Sequence, residues 1–168
     1  MTGIPTWTSG EVLTASDVNS WFVPLAAVKP GDTSIASSTS LTNDPDLVLA
    51  VASNATYRVD AFLDYEGNTN GSGDFKAQFT VPSGATLAYT HFGLNGSGNV
   101  GSPTILAASA SYTYATNGSG VKQGIVITGT LIVSSTSGNL QLQWAQGESN
   151  STATILHAGS SLMARRIA

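Results

Sequence analysis

Cysteine, charge and long apolar runs are absent or scarce in this sequence of 168 residues. The lack of cysteine excludes thiol chemistry, disulfides and cysteine-based zinc sites. Charged residues make up only 10% of the chain, whereas an average soluble domain has roughly 25%. No apolar run reaches the roughly 18 residues that a membrane-spanning helix needs, so no such helix is predicted.

The few charges that are present also limit the possible partners. Ten acidic and six basic side chains give a net charge of −4, and the basic residues cluster only at Arg165-Arg166. Such a distribution offers no field to gather nucleic acid or an anionic membrane, so neither is an expected partner. The segment Met1–Trp7 lacks a basic stretch followed by an apolar one. We therefore expect a protein that is made in the cytoplasm and stays soluble.

The polar residues that are abundant point to an all-β protein. Apolar residues make up 41% of the chain, and Ser, Thr, Asn and Gly fill the gaps between them. These small polar residues favour turns and strands over helix interiors. From residue 32 onward, apolar and polar side chains alternate in runs that turn residues interrupt, which predicts an antiparallel β-sandwich or barrel of eight or nine strands.

Individual runs identify the expected strands and part of their core. In the run Thr56–Glu66 the odd-numbered positions are apolar and are expected to point inward. Near the C-terminus Leu140, Leu142 and Trp144 alternate with glutamines, so we predict that they pack in the core. The other predicted strands are 46–52, 73–81, 85–94, 104–115, 125–133, 152–157 and 161–167.

The first 30 residues form a segment of a different kind, which we interpret as an arm preceding a sandwich of residues 31–168. Thr14-Ala15-Ser16-Asp17 resembles a capping box, and the pattern that follows predicts a short helix over residues 15–22. Because so short a helix is not stable alone, its apolar residues must pack against another surface. The predicted anchoring residues of this arm are Trp7, Val12, Leu13, Val18, Trp21 and Phe22.

Glycine-rich segments are better explained as turns than as a cofactor site. Gly96–Gly101 matches G-x-G-x-x-G, but Pro103 and a strand-like run follow where a dinucleotide site needs a helix. Asn-Gly-Ser-Gly occurs at residues 70–73, 95–98 and 117–120, and each copy is predicted to be a hairpin or loop tip. We expect no cofactor.

The titratable residues do not form a recognisable catalytic pattern. His91 and His157 lie in strand-like runs far apart, no G-x-S-x-G elbow is present, and the acidic residues cluster elsewhere. We interpret both histidines as ordinary strand residues and predict no catalytic residue.

Three carboxylates share one face of a predicted strand. Asp60, Asp64 and Glu66 project the same way, which would suit a Ca²⁺ site or an acid/base pair. The alternative is a solvated face that pairs with Arg58 and, across a hairpin, with Lys76. We favour the solvated face and predict no metal site.

Two stretches resemble known families. Trp7–Asn19 is similar to the W-x-x-G-E-V-L-T-A-x-D-x-N segment near the start of many virion proteins of tailed bacteriophages. Gly138–Gln146, together with Ser151–Ile155 and Ala158–Ile167, resembles the last strands of phage C1q/TNF-like jelly rolls. The resemblance covers about a third of the chain. It implies a jelly-roll sandwich that assembles as a homotrimer, with no catalytic residue.

The resulting hypothesis is a non-enzymatic structural protein on the surface of a phage virion, made in the host bacterium. We expect a trimeric capsid decoration (cement) protein whose arm binds the major capsid protein or tail proteins, because the chain lacks the heptads or Gly-X-Y repeats of a fibre shaft. The alternative is a short tail-tip or tail-fibre protein whose Asn-Gly-Ser-Gly tips contact a host surface receptor or glycan.

A hypothesis from another class is a carbohydrate-binding or hydrolytic β-sandwich. Tyr65, Tyr112, Tyr114 and Trp144 could offer stacking platforms for sugars. Aromatic residues that alternate along strands more often belong to the core, and a glycosidase needs two carboxylates in one cleft. We therefore keep this hypothesis second.

Overall fold

The computed structural model of the protein describes residues 6–68, 74–95, 97, 99 and 104–168. These residues form one helix, α1 (Ala15–Trp21), and twelve β-strands. The strands are β1 (Leu25–Val28), β2 (Thr33–Ile35), β3 (Thr42–Val51), β4 (Ala55–Glu66), β5 (Phe75–Thr80), β6 (Thr86–Phe92), β7 (Leu106–Ala107), β8 (Tyr112–Tyr114), β9 (Gln123–Val133), β10 (Gly138–Gln146), β11 (Thr154–Leu156) and β12 (Ser161–Arg166).

The strands form two antiparallel sheets. The larger has eight strands in the order β1-β12-β4-β9-β6-β7, with β11 beside β4 and β2 beside β11. The smaller has the order β3-β10-β5-β8. Side chains from both sheets meet in one hydrophobic cluster. The predicted antiparallel β-sandwich with a short N-terminal helix is therefore confirmed.

The core follows from the period-2 pattern of the strands. The inward side chains of β4 are Tyr57, Val59, Ala61, Leu63 and Tyr65, and all five are buried. On β10 of the opposite sheet Leu140, Leu142 and Trp144 are also buried, and the Trp144 ring stacks on Phe75 with centroids 5.5 Å apart. Burying each large apolar side chain contributes roughly 1.5–3 kcal/mol.

Strand β3 tolerates a proline because it lies at the edge of the smaller sheet. The sequence predicts a strand starting at Asp46, whereas β3 begins at Thr42 and includes Pro45. Proline fits edge strands and bulges, and the pairing of β3 with β10 shifts register between Gln141 and Gln143. The Asp44 carboxylate closes this bulge by accepting hydrogen bonds from the two backbone N–H groups of Asp46 (3.0 Å) and Leu47 (2.9 Å).

Other strands differ from the prediction in number and placement. The predicted strand 104–115 is two strands, because a turn in which Ala110 N donates to Ala107 O at 3.0 Å separates β7 from β8. β7 pairs with β6 in the larger sheet, whereas β8 pairs with β5 in the smaller one. The short strands β1 and β2 were not predicted.

The sandwich has two distinct ends along β4. At the arm end, Tyr57 of β4 pairs with Arg166 of β12, beside α1. At the loop end, Glu66 pairs with Ile155 of β11. The nine residue steps between Tyr57 and Glu66 separate these ends by about 30 Å.

Candidate attachment surface at the N-terminal arm

Helix α1 has the cap that its sequence predicts. The Thr14 hydroxyl accepts a hydrogen bond from Asp17 N at 3.2 Å, and the Asp17 carboxylate accepts one from Thr14 N at 3.0 Å. Hydrogen bonds from the Thr14 side chain and backbone hold the pKa of the Asp17 carboxyl below its usual value. The helix ends at Trp21, shortly before Pro24.

An aromatic residue of the arm contacts the C-terminal end of β12. The Arg166 guanidinium lies over the Trp21 ring, 4.1 Å from its centroid, which is a cation–π contact. Trp7 stacks on Phe22 with ring centroids 5.7 Å apart. A cleft of about 240 Å³ lies between the helix and β12, lined by Trp21, Phe22, Arg165, Arg166 and Ile167.

The arm also leaves large apolar side chains largely in solvent. Val12 is 80% exposed, Phe22 53%, Val23 52% and Leu13 46%. Trp7, Val18 and Trp21 of the predicted anchoring set are half-buried. The six predicted residues therefore divide into three that contact solvent freely and three that are partly covered.

The sandwich takes in part of the segment that the sequence assigns to the arm. Leu25–Val28 forms β1 and pairs with β12, so the strands begin before the boundary predicted at residue 30. The hydrogen bonding continues just after the C-terminal end of β1, where Lys29 N donates to Ser160 O at 2.8 Å. Of the predicted arm, the described residues 6–24 precede the first strand.

A buried ion pair fixes the junction between β1 and the sandwich. The fully buried Lys29 Nζ lies 2.8 Å from Asp44 Oδ2 and 2.9 Å from Asp46 Oδ2. Trp144 Nε1 donates to the same Asp44 oxygen at 3.1 Å. Burial raises the pKa of the Asp44 carboxyl, but hydrogen bonds from Lys29 and from the backbone of Leu47 and Asp46 outweigh it, so this pKa lies below its usual value. No local pattern in the sequence indicates this pair, because Lys29 and Asp44 are 15 residues apart.

His157 has neighbours that the sequence analysis did not foresee. Its Nδ1 lies 3.2 Å from Asp32 Oδ2, and its Nε2 lies 3.3 Å from Glu66 Oε2. The acidic residues were expected away from both histidines, but β11 pairs with both β2 and β4 and brings the carboxylates to His157. Hydrogen bonds from Ala158 N and His157 hold the pKa of the Asp32 carboxyl below its usual value.

His91 is part of an aromatic cluster. It is fully buried, with its ring centroid 4.1 Å from that of Tyr112 and 5.1 Å from that of Tyr114. Burial lowers the pKa of this imidazole. Among the described residues neither histidine is hydrogen-bonded to a serine hydroxyl, so no Ser–His pair forms there.

The carboxylate stripe, which consists of Asp60, Asp64 and Glu66 on β4, is only partly exposed to solvent. Asp60 is exposed beside Arg58, with 3.5 Å between its Oδ1 and Arg58 Nε, but Glu66 is buried against His157. The predicted pairing with Lys76 is wrong, because β4 and β5 belong to different sheets. Asp64 instead lies 3.4 Å from Lys122 Nζ.

The aromatic residues considered as sugar platforms are mostly interior. Tyr65, Tyr114 and Trp144 are buried, and Tyr112 is half-buried. The Tyr65 hydroxyl donates to Ala115 O at 2.8 Å. These four rings therefore pack in or against the core.

The glycine-rich tips are described only in part. Gly118 (φ +114°) and Gly120 (φ +82°) adopt the left-handed backbone expected for a tip at residues 117–120. The Asn95 carboxamide accepts hydrogen bonds from Ser97 N (3.0 Å) and Asn99 N (3.1 Å), as in an Asx turn. Residues 70–73 and most of the predicted 96–101 motif lie outside the described residues.

The part of the chain that the structure describes has neither a metal-binding cluster nor a membrane-spanning helix. It contains no group of three or more His, Asp or Glu side chains placed to hold a metal ion. Nor does it contain a helix with the length and apolar character needed to cross a bilayer.

The solved structures described next are distant likenesses of this chain. No protein-family model and no curated protein matches this chain. The tripod (BppUct-A-L) from the baseplate of bacteriophage Tuc2009 is similar with 11% identity and a TM-score of 0.33, over 96% of this chain and 73% of that one. A structure of the Gt strain of infectious bursal disease virus shows 9% identity and a TM-score of 0.22, over 85% of this chain and 41% of that one. Likenesses this distant carry no conclusion about function.

Proposed function

We propose that this chain is a non-enzymatic virion structural protein of a tailed bacteriophage, a capsid decoration protein that attaches through its N-terminal arm. The observation that carries the proposal is the arm itself. The arm is held to the sandwich through the contact of Trp21 with Arg166, while Val12, Leu13, Phe22 and Val23 remain about half or more exposed. The similarity of Trp7–Asn19 to phage virion proteins supports the same assignment.

The exposed arm side chains suit a binding role on physical grounds. Soluble monomers rarely leave contiguous large apolar side chains in water, and such patches mark interaction sites. Burying an aromatic anchor such as Phe22 in a partner's pocket typically contributes about 2 kcal/mol or more. Because Trp21 is already stacked on Arg166, part of the arm is ordered before it binds, which reduces the entropic cost of association.

The buried chemistry favours a structural role over catalysis. Both ring nitrogens of His157 face carboxylates, and His91 is enclosed by aromatic rings. The Lys29–Asp44 pair is sealed inside the sandwich. These groups contribute to internal packing rather than to an open cleft.

Self-association as a homotrimer is part of the proposal, and the outer face of the larger sheet is the candidate contact surface. On the larger sheet Phe62, Val126 and Phe92 are side by side in register, and all three are about half exposed. On the smaller sheet Gln78 and Gln143 are hydrogen-bonded to each other at 2.7 Å, which forms a polar face. A trimer would also present three arms and gain avidity if its binding sites share three-fold spacing. Light scattering of residues 25–168 is expected to give a mass near three chains, and a stable monomer at micromolar concentration would exclude the trimer.

One observation favours the tail-tip alternative. A cleft of about 410 Å³ at the loop end is lined by residues including Asn117 and Gln123. Gln123 Oε1 is buried without a hydrogen-bond partner among the described residues. These two amides, beside Tyr65 and Leu94 in the same lining, offer the hydrogen-bonding and apolar groups that a host glycan would contact. Immuno-electron microscopy of intact particles distinguishes the two sites, since label on the tail tip would favour the alternative.

The test of attachment removes the arm and leaves the sheets intact. Deleting residues 1–24 spares β1, so the remaining sandwich is expected to fold and to lose binding to phage particles that lack the protein. Phe22→Ala is expected to weaken binding without lowering the melting temperature. The matched control is Val121→Ala, an exposed apolar residue (46%) near the loop end. Normal decoration by the deleted protein would refute the arm as the anchor.

A further inference from the structure

Two arginines lie side by side on the outer face of the larger sheet, close to the arm. Arg165 of β12 is directly opposite Arg58 of β4, and Arg165 also lines the cleft beside Trp21 and Phe22. Like charges in directly opposed positions destabilise a pair of strands. This chain has only six basic side chains, and two of them face each other here.

The pair is only partly neutralised from within the protein. Arg58 Nε lies 3.5 Å from Asp60 Oδ1, and its Nη2 donates to Thr128 Oγ1 at 2.5 Å. Arg165 has no carboxylate at ion-pair distance among the described residues. A guanidinium carries five N–H donors and binds carboxylates in a planar, bidentate way. The pair therefore retains unused donors that face solvent.

A second, independent feature adjoins Arg58. A cleft of about 280 Å³ is lined by Arg58 and by the threonines Thr90, Thr128 and Thr130 of two neighbouring strands. Thr90 Oγ1 is buried without a hydrogen-bond partner among the described residues. A buried unsatisfied hydroxyl requires an explanation, and a rotation of the Thr90 side chain toward the cleft would let it donate to a bound carboxylate oxygen.

We infer that Arg165, Arg58 and the threonine cleft form a docking site for an acidic segment of the virion protein that the arm contacts. The inference rests on the function proposed above and names the chemistry of its partner. Arg165 and Phe22 line one cleft, so a partner that covers Phe22 also reaches the arginines. Its segment is expected to combine apolar side chains for the arm with Asp or Glu for the arginine pair.

Two other occupants fit less well. A nucleic acid would bring phosphates but no side chains to cover Val12, Leu13 and Phe22, and its extended charge is repelled by a chain of net charge −4. A second copy of this chain would have to bury the arm end. The apolar row at Phe62 lies about 13 Å from Arg58 along β4, so it is a separate surface.

The test uses the full chain and phage particles that lack it, with binding measured by co-sedimentation at low and high sodium chloride. Arg165→Glu is expected to weaken binding by about tenfold at low salt and to flatten its salt dependence. Thr90→Val is expected to weaken binding by about two- to tenfold. The control is Lys122→Glu, which changes an exposed cation at the loop end and is expected to leave binding unchanged.

Stability measurements separate docking from a structural role. Arg165→Glu places a carboxylate opposite Arg58, so its melting temperature is expected to equal or exceed that of the wild type while binding falls. Equal binding by the wild type and Arg165→Glu, or binding that does not depend on salt, would overturn the inference and leave the proposed function standing. Failure of the wild type to bind particles would overturn both. A change in the oligomeric mass of Arg165→Glu would assign the pair to contacts between copies of the chain and overturn the inference.

Discussion

Replacing Lys29 by Met tests how much the buried Lys29–Asp44 ion pair, at the junction of the arm and the sandwich, contributes to stability. The change removes the cation and keeps a flexible apolar side chain of similar length. Asp44 is then left buried with its charge uncompensated, although it still accepts hydrogen bonds from Trp144 Nε1 and two backbone N–H groups. Asp46 is less affected, because its side chain is 29% exposed.

The expected loss follows from the burial of both partners. Lys29 and Asp44 side chains are each 0% exposed, and removing one partner of such a pair typically costs about 3–5 kcal/mol. The free energy of unfolding of a single domain is only about 5–15 kcal/mol. Lys29→Met is therefore expected to lose a large share of the total stability. The matched control is Lys122→Met, whose pair with Asp64 is largely exposed and contributes about 0–1 kcal/mol.

Urea unfolding followed by far-ultraviolet circular dichroism measures both variants. A loss of less than about 1 kcal/mol for Lys29→Met would refute the argument, since the Asp44 charge would then be accommodated without its partner. The double variant Lys29→Met with Asp44→Asn is expected to recover part of the loss, because the fully buried charge is gone and the remaining Asp46 carboxylate is partly exposed.

Three further predictions concern the core, the lowered aspartate pKa values and metal binding. Trp144→Ala is expected to cost about 3–5 kcal/mol in urea unfolding, because it leaves a cavity beside Phe75, and a variant as stable as the wild type would contradict the core assignment. Hydrogen bonds hold the pKa values of the Asp44 and Asp32 carboxyls below their usual values, so their stabilising contributions are present above the usual aspartate pKa and are lost as the pH falls through the lowered values. Unfolding curves measured at a series of acidic pH values are expected to show this loss. The decrease in the free energy of unfolding with falling pH is expected to be smaller for Asp44→Asn. EDTA is expected to leave the melting temperature unchanged, and a clear drop would reinstate a metal site at the Asp60 stripe.

Local pattern was sufficient to predict the strands that bury one face. The run Thr56–Glu66 alternates over its whole length and forms β4 with the expected residues inward. The cap at Thr14 and Asp17 was visible in four consecutive residues and is present. In both cases the signal and the structure depend on neighbours in sequence.

The short strands were not predicted, because they have too few residues to show the period-2 alternation of apolar and polar side chains. β1 and β2 have four and three residues, and they are held by pairing with β12 and β11 near the other end of the chain. The run 104–115 looked continuous because no proline or glycine marks the turn before Ala110. Which sheet each half joined depended on the strands available beside it.

The sequence by itself determined the class of fold, the inward faces of its long strands and the apolar character of the arm, because alternation and capping are properties of adjacent residues. Only the tertiary structure decided which charged side chains meet. Lys29 reaches Asp44 across 15 residues and His157 reaches Asp32 across 125. The two arginines become neighbours only when β12 pairs with β4. Strand pairing joins segments that are distant in sequence, and no local pattern encodes which partner a strand will find.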